Sequence, residues 1–182
     1  MVLQYSFITR LNALNRLLTH KISMVVSFLF VVCCLLGFQW LKTRLGGLML
    51  DELQGYDRED IRSQMLLYGE AGRSLHLRFT LLLDMVFPLA YGAFFGGLLV
   101  LAARGLFDRT ILLPVVAVMV LDFTENIQLA IMLAQFPELG DDQIALASAT
   151  TLAKFWSIRF FLLSLSGLVV WKIFTAARRR GN

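Results

Sequence analysis

Residues 111–135 read ILLPVVAVMVLDFTENIQLAIMLAQ, an apolar run interrupted by Asp122, Glu125 and Asn126. A helix of about 20 mostly apolar residues is long enough to cross the hydrocarbon core of a bilayer. Three more runs, residues 22–41, 79–103 and 146–173, have the same length and character. The sequence therefore predicts an all-α integral membrane protein, built as an antiparallel bundle of four transmembrane helices.

The composition of the chain agrees with this fold. Of its 182 residues, 58% are hydrophobic and 16% are charged, against about 25% charged residues in soluble domains. This excludes a disordered chain, a nucleic-acid-binding arm and an ordinary soluble enzyme domain. Two adjacent cysteines and two histidines do not provide the ligand spacing of a metal or haem centre. We accordingly expect no metal, no cofactor and no nucleic-acid partner.

The distribution of Lys and Arg predicts the orientation of the helices, because cytoplasmic loops carry an excess of these residues. Nine cations lie before the first run, between the second and third runs, and at or after the end of the fourth run, whereas the loop after the third run has none. These cations are Arg10, Arg16, Lys21, Arg104, Arg109, Lys172, Arg178, Arg179 and Arg180. We therefore expect both termini to be cytoplasmic.

The remaining segments complete the predicted domain. Residues 1–21 carry Phe7, Leu11, Leu14 and Leu18 at helical spacing, which predicts a helix on the cytoplasmic membrane surface. Residues 42–78 form an outer loop, in which Asp57 is expected to begin a short helix and Gly69 to end it, with a second helix beginning near Glu70. Residues 174–182 form a basic cytoplasmic tail, which favours contact with anionic membrane lipids.

Ionisable residues within the predicted spans are the most informative feature of the sequence, because such residues usually face a bundle interior or a wet cavity. Helical spacing puts those of each span on one face, except for Arg159, whose Cα points elsewhere. Asp84, Lys154, Glu125 and Asn126 are expected about 9–15 Å below the outer surface, and Asp122 and Arg159 about 20 Å below it. Tyr91 shares the face of Asp84.

These charges have two interpretations. They could pair, Glu125 with Lys154 and Asp122 with Arg159, and only fix the register of the helices. Polar contacts between membrane helices contribute about 0.6 kcal/mol on average, whereas each central charge costs about 2.5–3.5 kcal/mol to insert. The difference favours a functional site. Three acids against two bases also leave one carboxylate, expected to be Asp84, that needs a proton, a cation or water.

Three function classes follow from this cluster. The first is a pocket that binds or transports a small polar solute, a cation or proton, or a lipid headgroup, using Asp84, Tyr91, Asp122, Glu125, Asn126, Lys154 and Arg159. The second is a lipid-modifying enzyme, in which Asp84 or Glu125 acts as general base and Lys154 or Arg159 holds phosphate. The third is an accessory subunit of a membrane complex, in which the charges are structural.

A pair of glycines in the second run indicates how its helix packs. Gly92 and Gly96 form a GxxxG pair, which predicts close helix packing, either within the bundle or in a homo-oligomer.

The chain resembles small bacterial four-span proteins of unknown function with YGxxGR, LDxxFPxxYG and DxxEN signatures. The segments that carry this resemblance are YGEAGR at 68–73, LDMVFPLAYG at 83–92, DFTEN at 122–126 and KFW at 154–156. The resemblance implies a bacterial inner membrane and no particular activity.

Overall fold

Helices form most of the protein in the computed structural model, which describes residues 13–103 and 111–180. The long helices are α1 (Lys21–Leu45), α2 (Arg58–Phe79), α3 (Phe87–Ala102), α4 (Leu113–Gln135) and α5 (Asp141–Arg180). A 3-10 helix, Leu50–Glu52, lies between α1 and α2, and a π-helical turn, Thr80–Asp84, links α2 to α3. The described residues contain no β-strand, as the sequence predicts.

Four helical segments are long and apolar enough to cross a membrane: α1, the continuous segment Arg58–Ala102, α4, and residues 141–178 of α5. Large apolar side chains are exposed on the outer faces of these segments, including Leu36 on α1 and Leu163 and Val170 on α5. Exposed apolar surface of this extent is typical of an interaction with lipid or another partner. The helices extend beyond the predicted runs, since α2 begins in the outer loop and α5 begins at Asp141.

Local chemistry explains where α2 begins and where it breaks. The Asp57 carboxylate accepts hydrogen bonds from the backbone amides of Glu59 (2.8 Å) and Asp60 (3.0 Å), and so satisfies amides that have no partner within the helix. Gly69 has φ of 64° and ψ of 179°, a conformation that favours glycine, and it interrupts the helix. The expected helix start and the expected break are both confirmed.

The interior consists of two apolar clusters separated by a polar layer. One cluster joins the C-terminal parts of α1 and α4 to the N-terminal part of α5, with Leu41, Leu129 and Ala147 among its members. The other includes Val31, Val118 and Phe161. Along α4 and α5 the charged residues lie between the residues of the two clusters. The buried charges therefore have an apolar core on each side.

The YGEAGR segment fastens the loop between α1 and α2. The Tyr68 hydroxyl and the Gln64 amide (2.8 Å) both donate to the carbonyl of Leu48. The break at Gly69 is accompanied by a hydrogen bond from the Arg73 guanidinium to the carbonyl of Met65 (3.0 Å). The motif thus helps to fix the position of the loop at Leu48.

The GxxxG pair is used inside the chain. Gly92 and Gly96 are buried, and a Cβ added at Gly92 would collide with the Met119 side chain of α4. A Cβ at Gly96 would meet Leu112 and Val115 at 3.5 and 3.9 Å. Of the two predicted uses of this glycine pair, the structure shows packing within the chain, because Met119 of α4 lies against Gly92.

The predicted N-terminal surface helix falls largely outside the described residues, as do Phe7, Arg10, Leu11, Arg104 and Arg109. Within the described part, residues 13–18 are helical, and Leu14 is exposed. Leu18 packs against α3, where its carbonyl oxygen would lie 2.5 Å from a Cβ placed at Gly97. This end of the segment is therefore part of the helical packing.

Candidate functional site

The polar layer begins at the junction of α2 and α3, where Pro88 shapes the backbone. Proline has no amide hydrogen, so the carbonyl of Asp84, four residues earlier, receives no helical hydrogen bond from it. The Asn126 side-chain amide of α4 donates to that carbonyl instead, at 2.9 Å. Asn126 is fully buried. This hydrogen bond joins α4 to the junction of α2 and α3 at the start of the polar layer.

Lys154 of α5 is the cation at the centre of the layer. Its ammonium lies 3.1 Å from a carboxylate oxygen of Asp122 and also forms an ion pair with Glu125. The Tyr91 hydroxyl donates to the other oxygen of Asp122 at 3.0 Å. The predicted pair of Glu125 and Lys154 is thus confirmed. Three helices, α3, α4 and α5, contribute to one network around a single ammonium.

Arg159 corrects the sequence-based assignment. It is exposed, and its guanidinium carbon lies 3.1 Å from the ring centroid of Phe155 on its own helix. The expected pair of Asp122 with Arg159 is wrong, because Asp122 binds Lys154. Arg159 lies five residues after Lys154, and the helical rotation over five residues directs it away from the face that Lys154 occupies.

A cavity of about 420 Å³ lies beside this network. Asp84, Asp122, Tyr91 and Lys154 line it, whereas Glu125 and Asn126 lie fully buried behind them. Asp84 is 8% exposed, and among the described residues its carboxylate forms no hydrogen bond or ion pair. Asp84, which the charge count leaves without a cation, therefore faces the cavity without a partner among the described residues.

Residues of α1 and of the following loop complete the polar end of this cavity. Lys42 and Glu52 line it and bind each other at 2.8 Å, and the Glu52 carboxylate also accepts from the amide of Met49 at 3.0 Å. Gln39 and Asp51 line it as well. None of these four residues was among the predicted site residues, because Gln39 carries no charge and Lys42, Asp51 and Glu52 lie in the predicted loop, outside the spans.

Asp51 is the most informative of the missed residues. It lies in the 3-10 helix Leu50–Glu52, three residues after Leu48, whose carbonyl accepts hydrogen bonds from Tyr68 and Gln64. Burial raises the pKa of Asp51 above its ordinary value, and the nearby Lys154 ammonium opposes part of this shift. The local signal that could have indicated an inward-facing turn is the acidic pair Asp51 and Glu52, which follows the apolar residues 48–50.

We expect the Asp51→Asn variant to be more stable than the wild type at pH 8 and of equal stability near pH 4. The physical reason is that the pKa of Asp51 is higher in the folded state than in the unfolded state, where it is about 3.9. The folded wild type therefore becomes less stable as the pH rises from about 4 through the folded-state pKa, because the buried carboxyl group loses its proton. Thermal unfolding in detergent from pH 4 to pH 8 measures the difference. Glu138→Gln, at an exposed loop carboxylate, is the matched control.

A stability difference between wild type and Asp51→Asn that stays constant with pH would contradict the burial of an ionisable Asp51. Such a result would mean that the loop does not insert Asp51 beside the polar layer as the structure shows.

The arrangement of donors and acceptors indicates which ligands the site can take. Four carboxyl groups, from Asp51, Asp84, Asp122 and Glu125, lie in the same part of the site as one ammonium, that of Lys154, so carboxyl groups exceed cations by three there. Within the described ranges, no three His, Cys, Asp or Glu side chains are arranged to share one metal ion. An excess of carboxyl groups over ammonium groups suits the binding of protons or of a cation.

Comparison of the chain with protein-family models, curated proteins and solved structures gave no match.

Proposed function

We propose that the chain is an integral protein of a bacterial inner membrane, with four helical segments that cross in alternating directions. The length and apolar character of α1, the Arg58–Ala102 segment, α4 and α5 support this proposal. The exposed apolar faces of α1 and α5 give these helices a surface suited to lipid. The nine cations before, between and after the predicted runs support cytoplasmic termini.

A cysteine at the C-terminus tests the orientation. In a background with Cys33 and Cys34 replaced by alanine, we expect Asn182→Cys to react with a membrane-impermeant maleimide only after the cells are permeabilised. Gly140→Cys, in the exposed loop between α4 and α5, is the matched control and is expected to react in intact cells. The reverse pattern of labelling would overturn the orientation.

We further propose that the cavity binds a cation from the outer side, as part of a binding or transport function. The observation that supports this most directly is the excess of carboxylates around Lys154, with the unpaired Asp84 facing the cavity. Unpaired charge in an interior of low dielectric constant is costly, so the site favours the bound proton or cation that neutralises it. A cation that enters would therefore replace protons.

The alternative of a lipid-modifying enzyme has less support. It needs Lys154 or Arg159 to hold a phosphate group. Lys154 is already neutralised by Asp122 and Glu125, and Arg159 lies away from the cavity. The surrounding carboxylates would also repel a phosphate anion. The interpretation as an accessory subunit, in which the charges only fix packing, does not account for an open cavity beside them.

Binding of tetramethylammonium tests the cation site, because this ion has a permanent charge and cannot release a proton itself. We expect the purified protein in detergent to bind it saturably and to release protons into a weakly buffered solution. Asp84→Asn should weaken binding by tenfold or more, whereas Glu138→Gln at an exposed carboxylate should not. Saturable binding without proton release would contradict the exchange, and absence of binding would contradict the site.

Uptake into proteoliposomes distinguishes a transporter from a protein that only binds the cation. A transporter should accumulate labelled tetramethylammonium when a pH gradient is imposed, and Asp84→Asn should abolish that accumulation. A binding module should bind the ion in detergent and show no uptake.

A further inference from the structure

The cavity continues beyond the polar layer as an apolar arm. Its walls are formed by Val31 and Leu35 of α1, Val115 of α4, and Ile158, Phe161 and Leu162 of α5. Lys154 and Leu162 are eight residues apart on one helix, which is about 12 Å. Asp122 and Val115 are seven residues apart, which is about 10 Å. The arm therefore extends about 10–12 Å from the charged end.

The arm opens between α1 and α5. These two helices pack mainly against different neighbours, α1 against α3 and α5 against α4, and residues of both line the same cavity. Leu35 is 49% exposed and Leu162 is 42% exposed, although each also lines the arm. In the proposed arrangement this opening faces the lipid, so an apolar group can enter it from the side.

Aromatic rings lie where the arm meets the charged end. The rings of Phe87 and Tyr91 pack edge to face with centroids 5.1 Å apart, and those of Phe95 and Phe161 are 5.9 Å apart. All four line the cavity. Aromatic faces attract organic ammonium groups within about 6 Å. Tyr91 also binds Asp122, so a cation at this point meets a ring and a carboxylate together.

We infer that the occupant of this cavity is a single-chain organic cation, with an ammonium head among Asp84, Asp122 and the aromatic rings and an apolar tail in the arm. This inference rests on the proposed cation site and names its class of ligand. The carboxylate of Asp84, more than nine-tenths buried and facing the cavity without a partner among the described residues, is the group that meets the head.

A free organic cation fits these walls better than a membrane phospholipid. A phospholipid with an ammonium headgroup also carries a phosphate, which would lie close to several carboxylates and be repelled by them. The volume of about 420 Å³ is near the lower end of the range of about 300–1,000 Å³ found for pockets of drug-sized ligands. A cavity of this size suits one small organic ligand with its apolar chain in the arm.

A series of alkyltrimethylammonium salts with chains of one to six carbons tests this inference on the purified protein in detergent. We expect the Kd to fall about fourfold for each added methylene, as burial of one methylene predicts, until the arm is filled. Hexanol, which has the chain without the charge, should not compete. Phosphatidylethanolamine should displace the hexyl compound poorly, because its phosphate is repelled.

Matched variants separate the tail site from the head site. Leu35→Ala combined with Leu162→Ala should raise the Kd of hexyltrimethylammonium about tenfold and leave that of tetramethylammonium unchanged. Leu36→Ala combined with Leu163→Ala replaces neighbouring exposed leucines that do not line the arm, and should change neither value.

The outcomes distinguish this inference from the proposed function. If tetramethylammonium binds but the Kd does not depend on chain length, or if both pairs of variants have the same effect, the apolar arm is not a tail site and the cation site stands. Stronger competition by phosphatidylethanolamine than by the hexyl compound would overturn the choice of a free organic cation. If no member of the series binds, the cation site itself is wrong.

Discussion

Replacement of Lys154 by alanine should lower the free energy of unfolding by about 3–5 kcal/mol. The variant leaves Asp122 and Glu125 buried without their cation, and Glu125 is fully buried. Loss of one partner of a buried ion pair is costly because the remaining charge stays in a medium of low dielectric constant. Chemical unfolding in detergent micelles measures the loss.

Two further variants make this prediction specific. Arg159→Ala removes an exposed cation from the same helix and should change stability by no more than about 0.5 kcal/mol. Adding Glu125→Gln to Lys154→Ala should recover part of the loss, because the second change removes one of the uncompensated charges. Similar losses for Lys154→Ala and Arg159→Ala, or no recovery in the double variant, would show that the ion pairs are not buried as described.

Asn126→Ala should lower the free energy of unfolding by about 3 kcal/mol, which combines an unpaired buried carbonyl with a small cavity. Asn126 is fully buried and is the observed donor to the carbonyl of Asp84. That carbonyl depends on Asn126 because Pro88 has no amide hydrogen to offer it. The loss is measured by the same chemical unfolding in detergent.

A double-mutant cycle with Pro88 identifies the cause of this loss. Pro88→Ala restores an amide hydrogen four residues after Asp84, so the carbonyl gains an alternative donor. We expect Asn126→Ala to cost at least about 1 kcal/mol less in the Pro88→Ala background than in the wild type. Equal costs in the two backgrounds would mean that Asn126 contributes through packing alone.

The helices and the polar layer were predictable because their signals are local. A run of apolar residues long enough to span a bilayer identifies α1, the second half of the Arg58–Ala102 segment, α4 and α5 without knowledge of their neighbours. The start of α2 at Asp57 and its break at Gly69 depend on the chemistry of the residues themselves. Helical periodicity likewise placed Asp122, Glu125 and Asn126 on one face.

Only the tertiary structure decided which charges meet and what the site contains. The sequence predicted that Glu125 pairs with Lys154 and Asp122 with Arg159, whereas the rotation of α5 brings Lys154 to both acids and directs Arg159 away. The GxxxG pair could face α4 or another protomer, and the packing of Met119 against Gly92 uses it within the chain.

The inward turn of the outer loop is the clearest case of a feature that the sequence alone does not determine. Asp51 reaches the cavity because Tyr68 holds the Leu48 carbonyl and because the amide of Tyr56 donates to the Ser148 hydroxyl of α5 at 2.9 Å. The second contact joins residues 92 positions apart. Apolar length and helical period are properties of a segment, whereas the path of a loop is set by such distant contacts, which no local pattern records.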